Sequence, residues 1–143
     1  MNFVEKDTVL FDTDILIWAQ RKNTKAFELI GDAEERFVST LTYMELLQGA
    51  RSHADMRIIK SFLSDFDFLT LPLTENIGHR ALVYIEEYAL ASGLRSGDAL
   101  IAATAVENKL ALATGNQKHF KPVRELNLFV FHPYTSSVYV KPK

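Results

Sequence analysis

Short apolar runs alternate along the chain with longer stretches in which apolar residues recur at helical spacing. Thr8–Phe11 is a short run that stops at Asp12, the pattern of a buried strand. Ile15–Ala19 predicts a helix, Thr24–Ile30 a second short helix, and Arg36–Ser39 another strand. Beyond it, Thr42 resembles a helix N-cap with Glu45 three residues later, a capping-box pattern, and Leu46, Leu47 and Ala50 follow. Ala54–Phe66 places Met56, Ile59, Phe62, Leu63 and Phe66 on one helical stripe. Phe68–Leu71 predicts a strand ending before Pro72, and Thr74–Ala91 a long amphipathic helix closed near Gly93. Asp98–Asn108 predicts a strongly apolar helix. Leu110–Ala113 and Leu128–Phe131 predict strands, with a short helical turn over Gln117–Phe120 between them. The tail, Tyr134–Lys143, alternates at Val138, Tyr139 and Val140, which suits an edge strand or an ordered arm.

Strands that alternate with helices imply an α/β fold, a mostly parallel central sheet covered by helices on both faces. Ligands of such sheets bind beyond the carboxyl ends of the strands, near a switch in strand order. Asp12 falls just past the first strand and Asn116 just past the Leu110–Ala113 strand, so both lie where this class carries its chemistry.

The composition narrows this. The chain has 143 residues, enough for one self-sufficient core. No repeat, low-complexity tract or Gly/Ser linker interrupts it. One domain over 1–143 is expected, with its motifs in about 8–131 and a tail over 134–143. Hydrophobic residues make up 48% and charged residues 24%, a globular profile without a disorder signature. The absence of cysteine excludes disulfides, thiolate zinc sites and thiol nucleophiles, and fits a cytoplasmic protein. Acidic residues interrupt the first apolar run, so no secretory signal is expected, and no stretch is apolar for long enough to span a membrane. A net charge of −2 argues against a protein that grips a long duplex. Any nucleic acid would be engaged locally, and a metal could compensate clustered acids.

Three carboxylates have unusual contexts. Asp12 follows Val-Leu-Phe, Glu45 lies in what reads as the first turn of a helix, and Asp98 opens a helix that is otherwise almost wholly apolar. Each alone can be explained structurally, Asp12 as an N-cap and the other two by the helix dipole. Together they point further. Carboxylates converging in one cleft repel unless a cation balances them, and hard oxygen ligands select Mg²⁺ or Mn²⁺. Such an ion can activate water and neutralise charge building on a phosphate.

Four segments carry a more specific likeness. Val9-Leu10-Phe11-Asp12-Thr13, Thr42 to Ala50, Gly97 to Ala103, and Ala113-Thr114-Gly115-Asn116 resemble, in order and spacing, the four signatures of the PIN domain, most of all those of the VapC-type toxins. The resemblance spans about Val9 to Leu128. It implies an endoribonuclease that depends on Mg²⁺ or Mn²⁺, works as the toxin of a toxin–antitoxin pair, forms a homodimer and is held by a VapB-like antitoxin. It maps the metal-binding carboxylates onto Asp12, Glu45 and Asp98, with Asp12 and Asp98 as principal ligands. The fourth site position maps onto Asn116, a neutral amide and poorer ligand, so one ion is expected to be held more securely than two. Thr13 matches a supporting hydroxyl. Asp14 stands where the family more often has Ser, Thr or Asn; it could join the metal shell, but a helix-capping role is the expectation. His119 stands where the family often has an acid, and no role is assigned to it. Arg95, Lys118, His119, Lys121 and Arg124 are expected at the rim, as phosphate contacts or as ordinary solvated charge. Trp18 and Tyr43 are expected in the core or a dimer interface rather than stacked on a base.

Other readings stay open. A PIN nuclease could act in RNA maturation or decay outside a toxin pair, and a PIN fold that does not cut could serve as a binding module. Asp12-Thr13-Asp14 after a strand also resembles the opening of haloacid-dehalogenase-like phosphatases, in which the first Asp is the nucleophile. Those need a later Lys and a second acidic pair, and Gly97-Asp98 has no further Asp at the expected offset.

Overall fold

A computed structural model describes residues 8–140 and 142 of the chain. The first seven residues, over which the expectation of no leader begins, and Lys141 and Lys143 of the tail lie outside the described residues. Six strands, β1 Thr8–Phe11, β2 Glu35–Ser39, β3 Phe68–Leu71, β4 Ala111–Thr114, β5 Leu128–Val130 and β6 Val138–Val140, form one sheet in the order β3-β2-β1-β4-β5-β6. The first five are parallel, and β6 runs antiparallel to β5, so the tail supplies an edge strand.

Alternation along the strands builds two cores. Leu10, Leu112, Leu128 and Val130 face one side, where they meet α5 (Glu75–Ser92) and α6 (Ser96–Glu107). Val9, Phe11, Ala113 and Phe129 face the other, against α1 (Thr13–Gln20), α2 (Thr24–Asp32), α3 (Thr40–Gln48) and α4 (His53–Asp65). A seventh helix, α7 (Gln117–Phe120), follows β4. Successive strand residues point to opposite faces, so a central strand covered on both sides must be apolar throughout. That is why β1 reads Val-Leu-Phe, all buried, up to Asp12. Among the described residues, no helix is long and apolar enough to cross a membrane.

The chain passes from β1 outward through β2 and β3, then returns to place β4 on the other side of β1. The order of strands therefore reverses between β1 and β4, and a crevice opens beyond their carboxyl ends.

Three local expectations change. The helix bearing Glu45 starts earlier than the Thr42–Glu45 spacing suggests, with Ser39 as its N-cap and its Oγ accepting the Leu41 N–H at 3.1 Å. Thr42 is instead wholly buried inside α3, and Glu45 sits on the second turn. Asp98 is not the opening residue of α6 but its third, after Ser96 and Gly97, where it accepts the backbone N–H of Arg95 at 3.4 Å. Asp14 does not cap α1, because Asp12 already does.

Candidate active site

Asp12 is set by both of its neighbouring strands. Its N–H continues the ladder to the Ala113 carbonyl at 2.9 Å, so the residue is still aligned with β4 as the chain turns into α1. One carboxylate oxygen accepts the Thr13 N–H at 2.8 Å, and the other accepts the Thr114 hydroxyl at 2.7 Å. The side chain cannot turn away, and the residue is only 8% exposed. Burial, reinforced by the charges of Asp14 and Asp98, pushes its carboxyl up to about 7, against the hydrogen bonds from Thr114 and Thr13.

Asp14 lies in the first turn of α1, and its Oδ2 accepts the backbone N–H of Gly115 at 2.8 Å, across the gap from β1 to β4. A Cβ on Gly115 would lie 2.7 Å from that oxygen, so only glycine lets the backbone come this close. Oδ1 of Asp14 is buried without a hydrogen-bond partner. Burial raises this carboxyl too, with Asp98 adding to the effect and the N–H groups of Gly115, Ile15 and Asp14 itself opposing it.

Thr13 reaches the other way. Its hydroxyl donates to Glu45 Oε1 at 2.6 Å and lies 3.1 Å from the Thr42 hydroxyl. Glu45 is thereby turned from exposed α3 toward Asp12. On the remaining side, Asp98 projects from the start of α6, and Nδ1 of His119 lies 3.2 Å from its Oδ2. The same nitrogen is 2.9 Å from Nδ2 of Asn116. It donates to the carboxylate in one tautomer and accepts from the amide in the other. The imidazole thus ties α6 to the turn after β4.

Asp12, Asp14, Glu45, Arg95, Asp98 and Asn116 share the lining of one open cleft of about 880 Å³ at the reversal in strand order. Every residue singled out as a site candidate, Thr13 included, is gathered there. The basic rim is sparser than expected. Arg95 lines the cleft, but Arg124 lines a separate one beside Arg80 and Glu125, and Lys118 and Lys121 do not line the acidic cleft. Trp18 packs edge-on against Tyr134, and both it and Tyr43 lean on the α1 to α4 core, as anticipated. Three supports were not foreseen as such: Thr114, Gly115 as a donor, and His119, which was expected only at the rim and instead contacts Asp98 and Asn116. A threonine closing an otherwise apolar strand and the three-residue spacing of Asn116 and His119 on one turn were the available signals.

Among the described residues, no group of three or more His, Cys, Asp or Glu side chains is gathered closely enough to chelate an ion outright. The donor chemistry nevertheless fits a hard divalent cation. The donors are all oxygens, four carboxylates line one cleft, and a buried carboxylate oxygen has no partner.

A mostly parallel sheet with acids gathered at its switch point defines an α/β protein with a cleft suited to hard-cation chemistry. A PIN-domain model matches residues 9–126, and the chain belongs to that family. Within it, the chain is 27% identical over 127 residues to ribonuclease VapC1 of Methanocaldococcus jannaschii, covering 89% of each. A toxin–antitoxin complex from Klebsiella pneumoniae contains a chain of similar structure, with a TM-score of 0.74 and 28% identity over 90% of this chain and all of that one. VapBC2 of Rickettsia felis, solved on a DNA fragment from its promoter, shares the fold with a TM-score of 0.74 at 20% identity, over 87% of this chain and 98% of that one. Family membership sets aside the haloacid-dehalogenase-like reading of Asp12-Thr13-Asp14.

Proposed function

We propose that this chain is a divalent-metal-dependent endoribonuclease and the toxin of a VapBC-type pair. The observation that carries this reading is the convergence of Asp12, Asp14, Glu45 and Asp98, from separate segments, on one cleft at the strand-order reversal. Its similarity to a VapC ribonuclease and to a toxin–antitoxin complex supports the RNA substrate and the VapB-like antitoxin. Pairing as a homodimer is part of the same proposal.

Asp12 and Asp98 would hold the ion, Mg²⁺ or Mn²⁺, with Glu45 completing the shell or orienting water. A bound ion would supply Lewis-acid stabilisation of the phosphate and a more acidic water. The chain's own groups supply position. Thr114 and the Thr13 N–H fix both oxygens of Asp12, while Thr13 holds Glu45 to the same side. Hydrolysis joins a water oxygen to phosphorus as the bridging P–O bond breaks, and the departing oxygen takes up a proton. Arg95, exposed on the rim, would meet a neighbouring phosphate.

The test is cleavage of RNA by the purified protein in Mg²⁺ or Mn²⁺ and in EDTA, beside Asp12→Ala and Asp98→Ala. Cleavage is expected to require the ion, and each substitution to slow it on the order of 100-fold or more. Cutting that survives both would sink the site assignment. One observation favours a second reading, a PIN fold that binds without cutting: Asn116 brings no charge to the cleft. A wild type that binds Mn²⁺ but cuts no RNA would favour it.

A further inference from the structure

Building on the nuclease reading above, we infer that Asp14 is a direct metal ligand, supplying from α1 the negative charge that Asn116 does not bring from the turn after β4. The two residues flank Gly115. Asn116 follows it in the chain, and Asp14 is hydrogen-bonded to its N–H. Both line the cleft with Asp12 and Asp98. Asn116 can offer only a neutral amide, and its Nδ2 is turned to His119.

Asp14 differs in two ways that a capping residue would not. Its hydrogen bond runs to a residue 101 positions away, at the cost of a glycine that no larger residue could replace without moving the carboxylate. Its second oxygen is enclosed, and no nearby N–H completes a hydrogen bond to it. A buried acceptor left unpaired is a cost that a fold retains where something else completes it. In a cleft that also holds Asp12 and Asp98, a cation completes it best. One oxygen anchored on the backbone and the other free is the arrangement of a preorganised ligand, oriented by an outer hydrogen bond.

Isothermal titration with Mn²⁺, in the absence of RNA, tests this in the wild type, Asp14→Asn, Asp14→Ser and the double variant Asp14→Asn with Asn116→Asp. Asparagine keeps an oxygen for the Gly115 N–H, so folding is preserved and only the ligand charge is lost. Asp14→Asn and Asp14→Ser are expected to weaken Mn²⁺ by about 10-fold or more, and the added Asn116→Asp to recover most of that loss. Affinity within twofold of wild type in both single variants would overturn the inference and leave Asp14 a structural acceptor. A wild type that binds no Mn²⁺ would overturn the nuclease reading itself, and this inference with it.

Discussion

Asp12 shows how little of a site a single residue explains. Its type and place, an acid ending an apolar strand, were legible in the sequence, and so was Asp98 at the head of an apolar helix. Their surroundings were not. Thr114 is 102 residues from Asp12, and no local pattern announces that its hydroxyl will meet that carboxylate. Asp14 was expected to cap its own helix because a short-range rule was the only one available. The partner that claims it arrives from another strand. Titration of Asp12 carries a prediction. The carboxyl binds its proton more tightly folded, at about 7, than in the ordinary range near 3.8 of an unfolded chain. A raised carboxyl stabilises the metal-free fold below that window, and the contribution is lost as pH rises through it. A divalent cation bound as proposed would compete with the proton and restore what is lost. The rise in Tm produced by Mn²⁺ should therefore grow from about pH 5 to about pH 8. A rise that is constant or shrinks across that range would dissociate Asp12 from the metal.

Element boundaries turn on contacts that sequence patterns do not contain. Thr42 and Glu45 have the spacing of a capping box, yet Ser39 is the cap, because β2 ends there and α3 must begin at once. Thr42 is then drawn inward beside Thr13. Glu45 still lines the cleft, since a residue on the second turn of α3 projects over the carboxyl end of β1. The turn from β4 to α7 is the tightest junction at the site. Gly115→Ala is expected to destabilise the protein by about 1–3 kcal/mol, as a carboxylate held on backbone has no room to move aside. Urea unfolding measures that cost. A parallel loss of Mn²⁺ affinity would show that the displaced group is Asp14, whereas unchanged unfolding would mean the turn relaxes freely.

At the scale of the molecule, the alternation of strands and helices was enough to give the α/β class and the two covered faces. Strand order was not readable, because it depends on which strands meet after the chain doubles back. One brace stands apart from the cleft. Arg80 of α5 bonds Glu107 of α6 and Glu125 before β5, each at 2.5 Å, and the Tyr84 hydroxyl also donates to Glu125. These groups are partly exposed, so their worth is modest. Arg80→Ala should lower stability by about 1 kcal/mol and leave RNA cleavage at wild-type rate. Loss of cleavage without loss of stability would mean that this face also serves the reaction.

The pairing of β1 with β4 has a consequence in time. Asp12 and Asp14 emerge early in synthesis, but Thr114 and Gly115, which hold them, come more than a hundred residues later. Until then the growing chain carries most of the acids without the two contacts that align Asp12 and Asp14 against β4, and contacts so distant in sequence are slow to form. A ribosome making this protein is therefore expected to carry a chain without a finished cleft until the strand that brings Thr114 and Gly115 has emerged.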